Sequence, residues 1–215
     1  ALYGFLKKHL KSRGVVFKSL LKVKGFESKA GKVTALVTDG ERIEGEKFIL
    51  CGGAWSAELA GMLGISMPMM GGKGYSFLQN NQPEIRQASI LTEKKVAVSP
   101  YGHQVRFGGT MEIAGTDERI NMNRVRGIFE SINKYYPGFQ SKFPNEAEIW
   151  KGLRPCSPDG LPYIGPAVGY QNVWIGSGHG MMGISMAPAT GKILTDLHQG
   201  YASPMDLKAF EVGRF

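Results

Sequence analysis

The order of apolar and polar residues divides the chain into stretches of different character. Leu2, Phe5, Leu6 and Leu10 recur on one face of a helix over residues 2–13, and Gly14 supplies its stop. Val15 to Val23 reads as a strand, Lys32 to Thr38 as a second and Arg42-Ile43 as a third. Asp39-Gly40 is the hairpin signal that joins the last two. Lys47 to Cys51 is apolar without alternation, the pattern of a strand covered on both faces. Ser56 stands where it would cap a helix over 57–63, with Leu59, Ala60 and Leu63 turned inward.

At Pro68 the pattern changes. Lys73–Leu78, Lys95–Ser99, Gln104–Gly108 and Thr110–Ile113 read as strands, with a turn at Tyr101-Gly102. A helix over 123–136 carries Val125, Ile128, Phe129 and Ile132 on one face and ends at Pro137-Gly138. Glu146–Trp150 reads as a strand. The closing stretch is a short strand at Val173-Trp174-Ile175, a glycine-dense turn, and a helix whose apolar side is Ile184, Met186, Ile193, Leu194 and Leu197. Pro188 calls for a late start or a kink in that helix, and Gly200 is its stop. The predicted fold class is α/β combined with α+β. One domain is divided between residues 1–67 and 149–215, and a mostly antiparallel sheet domain, 68–148, is inserted into it. The closing strand–turn–helix looks like the end of a doubly wound fold whose opening strand, glycine turn and helix are missing. The chain is therefore expected to be the C-terminal portion of a longer protein.

Composition alters this picture little. Of 215 residues, 42% are hydrophobic and 20% charged, as in a soluble globular protein. The formal charge of +8 is scattered apart from Lys7, Lys8, Lys11 and Arg13, the wet face of the first helix. No motif supports nucleic-acid binding; a basic surface suits anionic substrates or acidic lipid headgroups. No apolar run approaches the about 20 residues of a membrane span, and no signal peptide is visible. Cys51 and Cys156 make no disulfide framework and read as buried thiols of a reducing, cytoplasmic compartment.

Three places carry candidate chemistry. Gly178, Gly180 and Gly183 form a G-x-G-x-x-G around His179, Met181 and Met182. Asp196, at the distance of the usual acidic partner, lies in the helix, so the turn either packs tightly or is the second half of a cofactor site. His179 is either a proton carrier or a donor that holds the turn; Met181 and Met182 cover an apolar surface. No metal-ligand spacing is present. Gly52-Gly53 lets the backbone approach either a helix or a ligand. Residues 150–166 hold four prolines and three glycines, a rigid loop around Arg154. A guanidinium there suits a carboxylate, but from the residues alone a structural pairing with Asp159 or with carbonyls ranks first. Asp159-Gly160 reads as a turn.

CGGAWS, then WKGLRPCSPDGLPYIGP, then GHG followed by the closing helix resemble, in this order, the FAD-dependent amine and D-amino-acid oxidoreductases, the family of D-amino-acid oxidase, glycine oxidase and sarcosine oxidase. KVAVSP and GGTMEI add to a likeness with the bacterial D-amino-acid dehydrogenase small-subunit type. The resemblance implies FAD in a Rossmann-like domain, covered by a sheet-rich substrate domain. Val23 and Cys51, Gly52, Gly53 and Trp55 would approach the ADP portion. Gly152, Leu153 and the turn Gly178, His179, Gly180, Met181, Met182, Gly183 and Ile184 would approach the flavin. Arg154 would grip the substrate carboxylate, reversing the earlier ranking, with Tyr75 or Tyr101 assisting. The implied reaction is oxidation of the C–N bond of a D-amino acid or cyclic imino acid, with hydride passing to flavin and the imine hydrolysed by water. The alternatives are a glycine/sarcosine-type oxidase using oxygen and, in another class, a noncatalytic binding domain. The family's N-terminal G-x-G-x-x-G is absent. This chain is therefore expected to bind little or no FAD alone, to be inactive, and to need the missing N-terminal part as partner. It is also expected to expose apolar surface near Leu50, Trp55 and Ile184. A homodimer and a peripheral or quinone link to the inner face of the membrane stay open.

Overall fold

The computed structural model describes residues 2–203 and 205–215. In chain order it contains α1 (Leu2–Ser12), β1 (Val23–Lys29), β2 (Lys32–Thr38), β3 (Arg42–Glu44), β4 (Phe48–Leu50), a 3₁₀ turn (Gly53–Trp55) and α2 (Ser56–Gly61). There follow β5 (Met70–Asn80), β6 (Ser89–Leu91), β7 (Val96–Tyr101), β8 (Gln104–Ile113) and α3 (Met122–Tyr135). The chain closes with β9 (Trp150–Cys156), β10 (Tyr163–Pro166), β11 (Val173–Ser177) and α4 (Gly183–Gln199). The strands form three sheets, ordered β1-β2-β3, β10-β11-β4 and β6-β7-β8-β5-β9. Among the described residues, only β11 and β4 pair in parallel.

The first sheet is a meander. β2 and β3 are joined at Asp39-Gly40 as the sequence predicts, with Val37 opposite Arg42. β1 and β2 turn at Ala30-Gly31, where both residues have positive φ, the geometry of a two-residue hairpin turn that matches strand twist. The strand expected over 15–23 does not form. Leu20 is fully exposed with φ of 63°, and the ladder begins only where Val23 meets Thr38. β character without a neighbouring strand leaves backbone groups to water. β4 also departs from expectation: Phe48 and Leu50 are buried, but Ile49 is 55% exposed. Ser56 does not cap α2. Trp55 takes the cap position, and the buried Ser56 hydroxyl has no partner.

In the five-stranded sheet, Tyr75, Phe77, Val98, Val105 and Phe107 point to one face and pack against Val125, Ile128 and Ile132 of α3. Gly74, Ser76 and Leu78, which alternate with them, therefore line the other face. Residues 104–113 are one strand rather than two. Glu146–Glu148 is a 3₁₀ turn closed by a capping box with Asn145, not a strand. The strand begins at Trp150 and carries Arg154, so residues 150–166 hold two strands instead of one loop.

A second core joins Val33, Phe48, Leu50, Ala60, Leu63, Tyr163, Val173 and Ile175. Asn172 fastens the meander to this core. Its amide nitrogen donates to Val33 O (2.7 Å) and Glu46 O (2.8 Å), and its oxygen accepts from Val33 N (2.9 Å). α4 packs Ile193 and Leu194 against Ile164. It starts at Gly183, ahead of Pro188, and Gly200 ends it in the left-handed conformation. The hydrogen bond that Pro188 cannot make belongs to the carbonyl of Ile184, a residue 81% exposed where water can replace it.

Candidate active site

Two glycine turns leave the carboxyl ends of the parallel pair β4 and β11, the place where α/β sheets open a ligand crevice. Ser177 Oγ donates to Gly53 O (3.1 Å), tying the two turns together. Of the two readings for Gly52-Gly53, Gly52 takes the packing one, since a Cβ there would stand 2.8 Å from Leu59. Gly53 has open space around it. The turn after β11 is held by Gly180 N donating to Pro155 O (2.8 Å) and by a backbone bridge between His179 and Cys156. His179 Nε2 lies 2.9 Å from Oγ1 of buried Thr190, and burial lowers its pKa. The ring therefore holds the turn onto α4. Met182, at the cap position of α4, provides no side-chain acceptor, so the positive helix end is left for another group.

Arg154 sits one strand over. Its Nη1 donates to Thr110 O (3.2 Å) and Gly72 O (3.4 Å). Thr110 has φ of 62° in a bulge of β8, where the register against β5 slips between Lys73 and Tyr75. The bulge re-aims that carbonyl at the guanidinium. The guanidinium lies over Gly74, where a Cβ would meet its atoms at 2.4–2.7 Å. Among the described residues no carboxylate pairs with Arg154. Asp159 instead takes Arg214 (2.9 and 3.0 Å), whose guanidinium lies 4.0 Å over the Tyr163 ring. Of the structural pairings, the one with carbonyls is present and the one with Asp159 is not. Arg154 and Met181 line a cleft of about 530 Å³ floored by Gly74, Gly108 and Gly109. Arg154 and the turn after β11 thus meet at one cleft.

The other expected residues divide. Gly152 and Leu153 precede Arg154 on β9, which packs beside the 3₁₀ turn ending in Trp55. Val23 and Trp55 come together in a separate cleft of about 480 Å³ with Leu20 and Leu59. Cys51 is exposed and Cys156 half-buried, so the expectation of two buried thiols fails. Trp55 and Ile184 are exposed as expected, and near Leu50 the exposed apolar residue is Ile49, since β4 turns Leu50 itself into the core. Met181 and Met182 are 72% and 55% exposed, and Met181 lines the cleft of Arg154.

Tyr75 is among the residues that line the cleft, but neither tyrosine hydroxyl is bonded to Arg154. Tyr75 points to the α3 face, donating to Glu112 Oε2 (2.5 Å) and accepting from Asn121 N (3.1 Å). Its pKa is pushed up to about 12, by burial first and then by Glu112. Tyr101 pairs with Gln104 at one end of β8, whereas Arg154 is level with Gly72 and Ile113 at the other. That separation is about 30 Å of strand. Ser76, Arg106 and Trp150 do line the cleft, and the sequence reading missed them. Alternation outward from Arg154 through Gly152 to Trp150 was the available signal.

Glycine turns at the ends of the parallel strands thus stand beside a cleft whose arginine has no carboxylate partner among the described residues. A family model described as FAD dependent oxidoreductase matches residues 2–197, and the chain belongs to that family. It is 33% identical over 218 residues to a D-amino acid dehydrogenase of Bradyrhizobium diazoefficiens, covering 98% of this chain and 50% of that one. To a D-amino acid dehydrogenase of Xanthobacter autotrophicus it is 34% identical, covering 94% and 48%. The chain thus spans about half the length of the curated relatives it matches. The crystal structure of glycine oxidase from Geobacillus kaustophilus shares the fold with a TM-score of 0.83, at 24% identity, covering 95% of this chain and 55% of that one. Among the described residues no helix is long and apolar enough to cross a membrane.

Proposed function

We propose that this chain carries the substrate face and one wall of the flavin site of an FAD-dependent dehydrogenase that oxidises the C–N bond of D-amino acids or cyclic imino acids. The observation that carries the reading is Arg154, held over Gly74 by a bulge carbonyl with no carboxylate partner among the described residues, beside the turn that starts α4. The names of the curated relatives give the substrate class.

The residues present suit FAD. Gly53 and Gly180 leave room for close approach, and the uncapped start of α4 suits an electron-rich ring. Gly152, Leu153 and the turn from Gly178 to Ile184 would hold the isoalloxazine end, and Val23 and Trp55 the other end. Bound FAD supplies the two-electron acceptor for amine oxidation. The protein's own part is positional. Arg154 fixes the substrate carboxylate, and through it the α-carbon, in one orientation above the cleft floor. The substrate ammonium gives up a proton to water before hydride leaves the α-carbon, and no dedicated side-chain base is needed. Residues 68–148 act as the substrate domain, and residues 1–67 with 149–215 as part of the cofactor domain. The pyrophosphate-binding element is provided by polypeptide corresponding to the rest of the relatives' length, and the chain alone turns over little.

The test is anaerobic reduction in protein with a complete flavin site. D-alanine or D-proline bleaches the flavin, and Arg154→Ala lowers kcat/KM by about 10²-fold, in line with loss of a charged, half-buried anchor. A flavin that stays oxidised across a broad amine panel, or turnover indifferent to Arg154→Ala, overturns the proposal. Reoxidation by a quinone but not by oxygen identifies a dehydrogenase rather than an oxidase.

A further inference from the structure

The sheet face that carries Arg154 carries a second unpaired guanidinium. Arg106 of β8 lies opposite Leu78, on the same face as Ser76 and Gly74, and stacks 5.7 Å from the Trp150 ring. Among the described residues it has no ion pair. The cleft is lined by Lys95, Arg106 and Arg154 and by no acidic residue. Between the two arginines lies Ser76, 6% exposed, with a buried hydroxyl that has no hydrogen-bond partner. An orphaned buried hydroxyl is costly unless something completes it.

The spacing limits what does so. The Arg154 guanidinium lies over Gly74, and the Trp150 ring beside which Arg106 sits lies over Gly152, the residue paired with Gly74. The supports of the two cations are thus neighbours across one strand pair, about 5 Å apart, and both arginines line the same cleft. A short diacid can place one carboxylate on each, with Ser76 on the same sheet face. Stacking on an indole holds a guanidinium without neutralising it, which keeps its fork free for a carboxylate.

We infer that Arg106 is a second carboxylate anchor and that the cleft prefers an acidic amino acid of the aspartate or glutamate type. This deepens the function proposed above and rests on Arg154 as the first anchor. The structure thereby assigns specificity to Arg106 and Ser76.

Titration calorimetry of the full chain with D-glutamate and its neutral isostere D-glutamine tests this directly. D-glutamate is expected to bind at least tenfold tighter, with the preference falling as salt rises. Arg106→Gln removes the preference, Arg106→Lys keeps part of it, and Ser76→Ala weakens D-glutamate several-fold. Equal binding of the two ligands, or a preference that survives Arg106→Gln, overturns the inference while leaving Arg154 as an anchor. Binding of both ligands that is indifferent to Arg154→Met overturns the anchor reading itself.

Discussion

At the level of single residues, the cleft depends on what is absent as much as on what is present. Gly74 gives Arg154 its resting place, and a methyl group there would overlap the guanidinium. Gly74→Ala is therefore expected to weaken carboxylate binding by about tenfold or more while lowering stability by no more than about 1 kcal/mol, since the displaced group is a flexible side chain. Calorimetry with D-alanine beside thermal unfolding checks both halves. Tyr75 serves stability instead. Its hydroxyl is bonded to Glu112 and its pKa is pushed up to about 12. A folded pKa above the unfolded value of about 10 means that the contribution is complete below pH 10 and is lost as pH rises toward 12. Tyr75→Phe should cost about 1–2 kcal/mol at pH 8, and the difference from wild type should shrink across that alkaline window. Urea unfolding at a series of pH values reads this out, and a difference that stays constant with pH would sink it.

At the level of elements, what the sequence shows depends on whether neighbours are needed. α3 follows from its own periodicity and its Pro137-Gly138 stop, and α4 from Gly200. Arg154 could be singled out from its surroundings in the chain, but its placement on a strand could not, because prolines and glycines hide β9 and pairing with β5 creates it. The reverse error occurred at 15–22, where apolar residues suggested a strand and no partner strand received them. Tyr75 and Tyr101 were plausible by residue type; register carries Tyr101 away from Arg154, and alternation turns the Tyr75 ring to the α3 face while its residue still lines the cleft. Ser76, Arg106 and Trp150 are ordinary residues until three strands bring them together. Asn172 belongs to the same class: nothing in Gly-Tyr-Gln-Asn announces a staple, yet its amide satisfies both the N–H and the C=O of Val33. Asn172→Leu leaves those buried groups unpaired and is expected to cost about 2–4 kcal/mol. Hydrogen exchange should show the loss concentrated in β1–β3, because Asn172 is one of the links, with Gln171 N donating to Gly31 O (3.0 Å), that join that meander to the strand pair β4–β11. Uniform loss of protection would contradict this.

At the level of the whole molecule, the distribution of apolar surface argues that this chain works against other polypeptide. α1 has the periodicity of an amphipathic helix but buries none of its residues; Leu2, Tyr3, Phe5, Leu6 and Leu10 are 39–72% exposed. Val16 and Leu20 beyond it are exposed as well, as are Ile49 of β4 and Ile184 of α4. A contiguous apolar helix face in water is either covered or adhesive. Alone at high concentration, the chain should therefore self-associate through α1. Leu6→Glu combined with Leu10→Glu should shift it toward monomer in sedimentation velocity with little change in melting temperature, because these side chains touch no core. If the polypeptide that completes the flavin site covers the same helix, the two glutamates should also prevent that complex from forming, and flavin retention should fall with it. A chain that is monomeric at every concentration, or one whose flavin retention ignores the two glutamates, would place the covering surface elsewhere, with Ile49 and Ile184 as the next positions to change.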